Sequence, residues 1–228
     1  MDRNRADALI ARVDPSFRQR WTIYDDILKR LTGPESRWLD AGCGENIAIE
    51  EFPCELNVGL DINRHPSTHT RPPFHFVAGS REKLPFGDAS FTLVTLNTVV
   101  EHLPAPETVF TEIGRILKPG GRLLVHTTNL HSPLILAGKL LPAGLRNRIF
   151  TGLLGAREED VFPTHHRINT ASRLTSVDGF AVEELHHVQD INRTNPVVFS
   201  CLLAYHLLTR LPGLARFRSN LIVLLRRT

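Results

Sequence analysis

The 228-residue chain lacks any uncharged apolar run of about 18 residues, so no segment reads as a membrane-spanning helix. Sulfur is scarce, with three cysteines and one methionine. Cys43, Cys54 and Cys201 stand at no metal-ligand spacing, and their odd number does not suit a disulfide framework. A reduced, cytoplasmic protein without a metal centre is therefore expected. Met1 to Asp7 carries no apolar h-region, so no secretory signal is expected there. Aromatic residues make up only 7%, and no strand interleaves them with basic residues, so nucleic acid is not an expected partner. With 42% hydrophobic and 22% charged residues, the chain has the composition of a globular domain and not of a disordered one.

Acid is missing from two stretches. Residues 131–156 hold Lys139, Arg146 and Arg148, and residues 191–228 hold Arg193, Arg210, Arg216, Arg218, Arg226 and Arg227, with no Asp or Glu in either. The net charge of +3 thus divides into nine positive charges on these segments and −6 on the remainder. Both segments are leucine-rich, so the pattern predicts an anionic partner, with peripheral contact at an anionic membrane face as one form of it. A covered core is the plainer reading of the same leucines.

The hydrophobic pattern predicts an amphipathic helix from Pro15 to Leu31, stopped by Gly33-Pro34. Short apolar runs then alternate with helical stretches. Strands are expected at Arg37–Asp40, Asn57–Asp61, Phe74–Val77, Phe91–Asn97 and Arg122–His126, with a helix from Pro106 to Lys118 ended by Pro119-Gly120-Gly121. Beyond Thr128 the rhythm breaks into a Leu/Gly/Pro-rich insertion of two short helices and a loop. A helix over Thr170–Val177 and strands at Ala181–Leu185 and Leu221–Leu225 complete the chain. This order predicts a doubly wound α/β sheet in one domain: a helical cap (1–33), a core (34–128), an inserted lid (129–168) and a C-terminal part (169–228).

The chemistry is concentrated at the end of the first strand, Trp38-Leu39-Asp40-Ala41-Gly42-Cys43-Gly44-Glu45-Asn46. Two glycines leaving a strand let the backbone approach a ligand closely. Seventeen residues later the second strand ends at Asp61, placed to accept hydrogen bonds from ribose hydroxyls. The third glycine of a dinucleotide fingerprint is replaced by Ile47, which weighs against a nicotinamide-dependent oxidoreductase. An in-strand Asp40 suits a ligand bearing cationic groups, as S-adenosylmethionine does. A non-catalytic cofactor-binding partner protein is a further alternative.

Leu39 to Gly44, Gly59-Leu60-Asp61, Leu84-Pro85-Phe86, Ser90-Phe91, Glu101-His102-Leu103 and Leu117 to Val125 resemble, in order and spacing, the motifs of class I S-adenosylmethionine-dependent methyltransferases. The resemblance implies a seven-stranded, mostly parallel, Rossmann-like sheet with one reversed strand, and S-adenosylmethionine as cofactor with S-adenosylhomocysteine as product. It implies cofactor contacts at Asp40, Ala41, Gly42, Cys43, Gly44, Asn46, Asp61, Ile62, Ser80, Arg81, Asn97, Thr98 and His102. Two positions depart from the pattern. Ser80 stands where an acid often meets the adenine amino group, and Thr92 replaces an acid after Phe91 with a packing role. His102, and His166 in the insertion, are candidate bases for deprotonating an acceptor, although proximity supplies much of the acceleration of an in-line transfer. Asn129, His131, His165 and Arg167 are polar neighbours on the expected acceptor rim. Similar insertions occur in methyltransferases of quinone biosynthesis, so a small lipid-like or anionic acceptor, methylated at oxygen, is expected.

Overall fold

A computed structural model describes residues 2–44, 51–62, 75–140, 164–193 and 195–228. Two helices open the chain. α1 (Arg3–Val13) buries only Ala6 and Ile10, and Asp2 caps it by accepting from the Asn4 amide. α2 (Arg20–Leu31) buries Tyr24, Ile27 and Leu28. It begins five residues later than the pattern predicts, because Asp14 turns the chain by accepting from both the amide and the hydroxyl of Ser16.

The strands are β1 (Arg37–Ala41), β2 (Leu56–Asp61), β3 (His75–Ala78), β4 (Phe91–Asn97), β5 (Leu117–Thr128), β6 (Phe180–Val188) and β7 (Asn220–Arg227). They form one sheet in the order β3-β2-β1-β4-β5-β7-β6. β1 to β5 pair in parallel, whereas β7 runs antiparallel to both β5 and β6, giving the reversed strand that the resemblance implies. The order reverses between β1 and β4, and sheets of this kind bind ligands in the crevice at the carboxyl ends of the strands at such a switch point.

Successive residues of each central strand point to opposite faces, so the sheet has two cores. Leu39, Val94, Leu96, Leu123, Val125 and Val223 pack with Val109, Phe110, Ile113 and Ile116 of α3 (Pro106–Ile116). On the other face Trp38, Leu93, Leu124, Ile222 and Leu224 pack with Tyr24, Ile27 and Leu28 of α2. α3 stops two residues before the expected end, and β5 takes over at Leu117, which pairs with Phe91. Pro119-Gly120-Gly121 lies inside that strand element as a register shift, with Gly120 at φ +74°.

Of the insertion, the described residues include α4 (Pro133–Leu140) and the returning segment 164–169; residues 141–163, with most of the expected second helix and loop, lie outside them. The expected helix over 170–177 shrinks to a single turn, α5 (Ala171–Leu174), capped by Thr170. α6 (Pro196–Leu208), capped by Asn195, precedes β7. Among the described residues no helix is long and apolar enough to cross a membrane.

Candidate active site

The crevice at the switch point is built from the ends of β1, β2 and β4. Asp40, 2% exposed, accepts a 2.6 Å hydrogen bond from the Thr95 hydroxyl, which in turn accepts from the Trp38 indole at 2.9 Å. Neighbouring parallel strands thus fix one buried carboxylate under the crevice. The sequence singled out Asp40 but neither Thr95 nor Trp38. Both lie on the same face as Asp40, a relation visible only once β1 is known to pair with β4.

Beyond β1 the backbone turns left-handed, with Gly42 at φ +95° and Gly44 at φ +48°. A Cβ on Gly42 would lie 2.5 Å from Cγ2 of Val99 and 2.8 Å from Nη1 of Arg81, whereas among the described residues a Cβ on Gly44 would meet nothing within 4 Å. Gly42 is bare because protein closes over it. No described residue closes over Gly44.

The loop amides are not free to meet a ligand as the glycine pattern predicts. Gly42 and Cys43 both donate to the Leu60 carbonyl, at 2.6 and 3.1 Å, and Gly44 donates to the Asp61 carboxylate at 3.0 Å. The loop therefore grips the end of β2. Asp61 also accepts from the Ile62 amide at 2.7 Å, so each of its oxygens is oriented by one backbone donor and keeps further acceptor capacity. Ile62 is 65% exposed beside it, an apolar surface next to an oriented carboxylate. Ala41 and Cys43 have buried side chains, so only their backbone could reach a ligand.

Past β3, the Ser80 hydroxyl accepts from the Glu82 amide at 3.2 Å, and the Arg81 guanidinium lies over Gly42 instead of beside Ser80. Thr92 ties β1 to β4, its hydroxyl accepting from the Arg37 amide at 2.9 Å, in keeping with a packing role. Asn46 lies outside the described residues.

At the end of β4, Asn97 bonds Nδ1 of His126 at 2.7 Å, and Nε2 of His126 meets Asn220 at 3.3 Å. The rings of Trp21 and Tyr24 on α2 abut the same imidazole edge-on, with centroids 5.5 and 6.2 Å away. Burial, with the Arg20 charge nearby, pushes the His126 pKa down to about 3, so the ring is neutral. Sequence reasoning placed His126 at the end of a strand and missed this role. Its register opposite Asn97 is the signal that could have found it. Thr98 follows at φ +55°, a strained conformation for a β-branched residue, held by its amide donating to the His126 carbonyl at 2.8 Å.

The chain then makes a short 3₁₀ turn, Val100–His102. Glu101 is 5% exposed and accepts from the Thr127 hydroxyl at 2.7 Å, while Asn169 donates to that hydroxyl at 2.5 Å. Burial raises the Glu101 pKa, opposed by Thr127 and by the charges of His102 and Arg20. The Glu101 carbonyl accepts from the amides of His165 and His166 at 2.7 and 3.1 Å. The returning end of the insertion is thereby docked against the turn that carries His102, and the two candidate histidines share one rim of the crevice. Asn129 does not line that rim. It is fully buried, donating to the carbonyls of Arg216 and Arg218 at 2.8 and 2.7 Å and accepting from the His131 amide. Among the described residues no group of histidines, cysteines and acids could hold a metal ion.

Comparisons with known proteins agree with this geometry. Residues 39–125 match the family described as a methyltransferase domain. A probable S-adenosylmethionine-dependent methyltransferase of Mycolicibacterium smegmatis is 32% identical over 118 residues, 50% of this chain and 45% of the relative. A ubiquinone/menaquinone biosynthesis C-methyltransferase of Brucella anthropi is 32% identical over 130 residues, 54% of this chain and 47% of the relative. The match spans less than half of either relative's length. A solved S-adenosylmethionine-dependent methyltransferase from Mesorhizobium loti shares the fold, with a TM-score of 0.60 at 18% identity over 91% of this chain and 97% of that one. Residues 39–125 are thus similar to a methyltransferase domain, and the sheet order with its reversed strand is the fold of the solved S-adenosylmethionine-dependent methyltransferase.

Proposed function

We propose that this chain transfers the methyl group of S-adenosylmethionine to a small acceptor with an apolar body and an anionic group. The observation that carries the cofactor half is the orientation of Asp61 by the Gly44 and Ile62 amides, beside a left-handed Gly44 that no described residue covers. An oriented carboxylate suits two ribose hydroxyls, and the open side of Gly44 admits a nucleoside to van der Waals contact. Ile62, Ser80 and the Arg81 backbone border the adenine. Asp40, at the crevice floor with Ala41, Gly42 and Cys43, offers negative charge toward the methionine half, bordered by Asn97 and Thr98. Asn46 completes the same set.

When bound, the cofactor supplies a methyl group already activated on a positively charged sulfur. The chain's part is positioning. Thr98 and the 3₁₀ turn hold His102 at the rim, and His102 takes the acceptor's proton as the new bond forms, with His166 as the second candidate. The docked segment 164–169 shields that rim from water. Arg20 pairs through Nη1 with Asp190 at 2.8 Å and keeps a buried Nε without a partner among the described residues, which supports an anionic acceptor.

One imidazole within reach of the acceptor suffices to take a hydroxyl proton, so oxygen is the proposed methylated atom. The similarity to a quinone-pathway C-methyltransferase favours a second reading, methylation at a ring carbon. Mass spectrometry and NMR of the product formed from a hydroxylated aromatic acceptor separate them: an O-methyl ether supports the first, a C-methyl the second. Turnover falling at least tenfold in His102→Ala, with S-adenosylhomocysteine affinity retained, is the result expected of a base; unchanged turnover reduces His102 to scaffold.

The leucine-rich basic segments support peripheral contact with an anionic membrane face. Val197 is more than half exposed at the start of α6, and Leu208 and Leu211 at its end, next to Arg210 in the chain. Co-sedimentation with anionic liposomes that disappears in high salt is the expected outcome. Equal sedimentation with and without liposomes at low salt would remove this element.

A further inference from the structure

We infer that the far edge of the sheet carries a second, separate site: a cavity that binds a phosphate group attached to an apolar stem. It lies where the end of β6 meets the 14–18 turn and the chain leaving α6, with a volume of about 450 Å³, the size of a small-ligand pocket. Val188 pairs with Asn220 and Asn220 with Thr128, so the cavity shares the carboxyl rim of the sheet with the methyl-transfer crevice. Three strand spacings separate β6 from β4, about 14 Å, too far for one phosphate to serve both.

Charge defines the ligand. Arg18, Arg210 and Arg218 line the cavity against a single carboxylate, Asp14. Asp14 is already engaged, by Ser16, by Nε2 of His206 at 2.8 Å and by Arg210 at 3.4 Å. Arg18 is held by Asp26 and by the Thr22 carbonyl. Arg218 differs from both. Its Nε donates to the Thr209 hydroxyl at 3.3 Å and its Nη1 to the His187 carbonyl at 3.2 Å, and no carboxylate pairs with it among the described residues. His206 lines the same cavity, 3% exposed, with Nδ1 buried and unpartnered among the described residues. His186 is turned to Glu184 at 2.9 Å.

Burial lowers the pKa of Arg218, with Arg210 adding to it and Asp14 opposing, and His187 is lowered by burial and by the Arg218 charge. Crowded, partly desolvated positive groups are relieved by an anion, and the guanidinium fork matches phosphate oxygens. Phe17, Ile23 and Leu185 give the cavity an apolar side beside Ser16 and Gln189, and Leu207, Leu208 and Leu211 are exposed at the end of α6 and just beyond it, outside the cavity lining. A phosphate head with an apolar body fits both features. Arg210 and Arg218 are two of those that the acid-free C-terminal stretch set apart.

The test is calorimetric titration of the full chain with sodium phosphate, against sodium chloride at equal ionic strength. Saturable phosphate binding that Arg218→Gln weakens about tenfold is the expected result, the loss of one charge-assisted contact. Arg210→Gln serves the same purpose should Arg218→Gln fail to fold by circular dichroism. Arg216→Gln, whose guanidinium lies on the Phe217 ring and outside the cavity, leaves the affinity unchanged. Vesicles of phosphatidylcholine with and without phosphatidic acid identify the source. Phosphate binding without vesicle preference indicates a free phosphorylated amphiphile, and phosphatidic-acid preference lost in Arg218→Gln indicates a lipid headgroup; both support the site. Phosphate heats equal to chloride, with vesicle binding equal in the wild type and both variants, overturn it. Because the first readout is binding of a soluble ion, it depends neither on methyl transfer nor on general membrane contact.

Discussion

The two ends of the sheet's carboxyl rim are built in opposite ways. At β1, β2 and β4 the backbone makes the site: left-handed glycines, three amides directed to Leu60 and Asp61, and one buried acid held by the neighbouring strand. At β6 side chains make it, from Asp14, His187, His206, Arg210 and Arg218, which come from distant parts of the chain. The first end is acidic and suits a ligand with positive charge; the second is basic and suits a negative one. A site made by backbone tolerates few substitutions at its turns, whereas a site made by side chains loses charge by charge.

The sharpest test of that contrast is at Gly42. Gly42→Ala forces a Cβ to 2.5 Å from Val99 at φ +95° and should lower unfolding stability in urea by about 3 kcal/mol, summing backbone strain and overpacking. Stability within 0.5 kcal/mol of the wild type would show that the closure over Gly42 yields easily.

Acid probes the layer beneath α2. The His126 pKa of about 3 lies below the ordinary value of 6.5, so the unfolded chain binds the proton more readily. Stability is therefore full above about pH 6.5 and falls as pH drops from there toward 3, by about 2 kcal/mol at pH 5 from this residue alone. His187 and His206, also lowered, add to the fall, while Glu101, raised by burial, opposes it. Denaturation midpoints across pH 5 to 8 check the sign. A flat profile would contradict a neutral buried imidazole.

Smaller effects sharpen the comparison within the crevice. Thr95→Val removes the donor to Asp40 and should cost about 1–3 kcal/mol by leaving a buried carboxylate short of a hydrogen bond. Gly44→Ala keeps its space and meets only the left-handed strain at φ +48°, about 1–2 kcal/mol, measured by the same urea titration. Equal losses at Gly42 and Gly44 would erase the distinction between a closed and an open glycine.

The same contrast explains what was legible in the sequence. The positions of Asp40 and Asp61 near strand ends, and the left-handed turn at Gly42 and Gly44, were readable because a strand end and its turn are contiguous, and glycines report a backbone conformation directly. Thr95, His126 and Glu101 acquire their roles from register and depth, which no local pattern carries. Asn129 misled for that reason: following β5 directly, it looked like a rim residue, but the chain before β7 covers it and uses its amide as a clamp. α1 went unseen because it buries only Ala6 and Ile10, too few to give a periodic signal. The basic C-terminal stretch was visible as charge, but its gathering around His206 was not.

The claim on which the account rests is that Asp61 grips the ribose of an S-adenosyl nucleoside at the glycine turn. Calorimetry with S-adenosylhomocysteine tests it directly. The account predicts binding to the wild type and a loss of about 1.5–3 kcal/mol in Asp61→Ala, as for a hydrogen bond to a charged group. No heat with the wild type, or the same dissociation constant in both proteins, would contradict it.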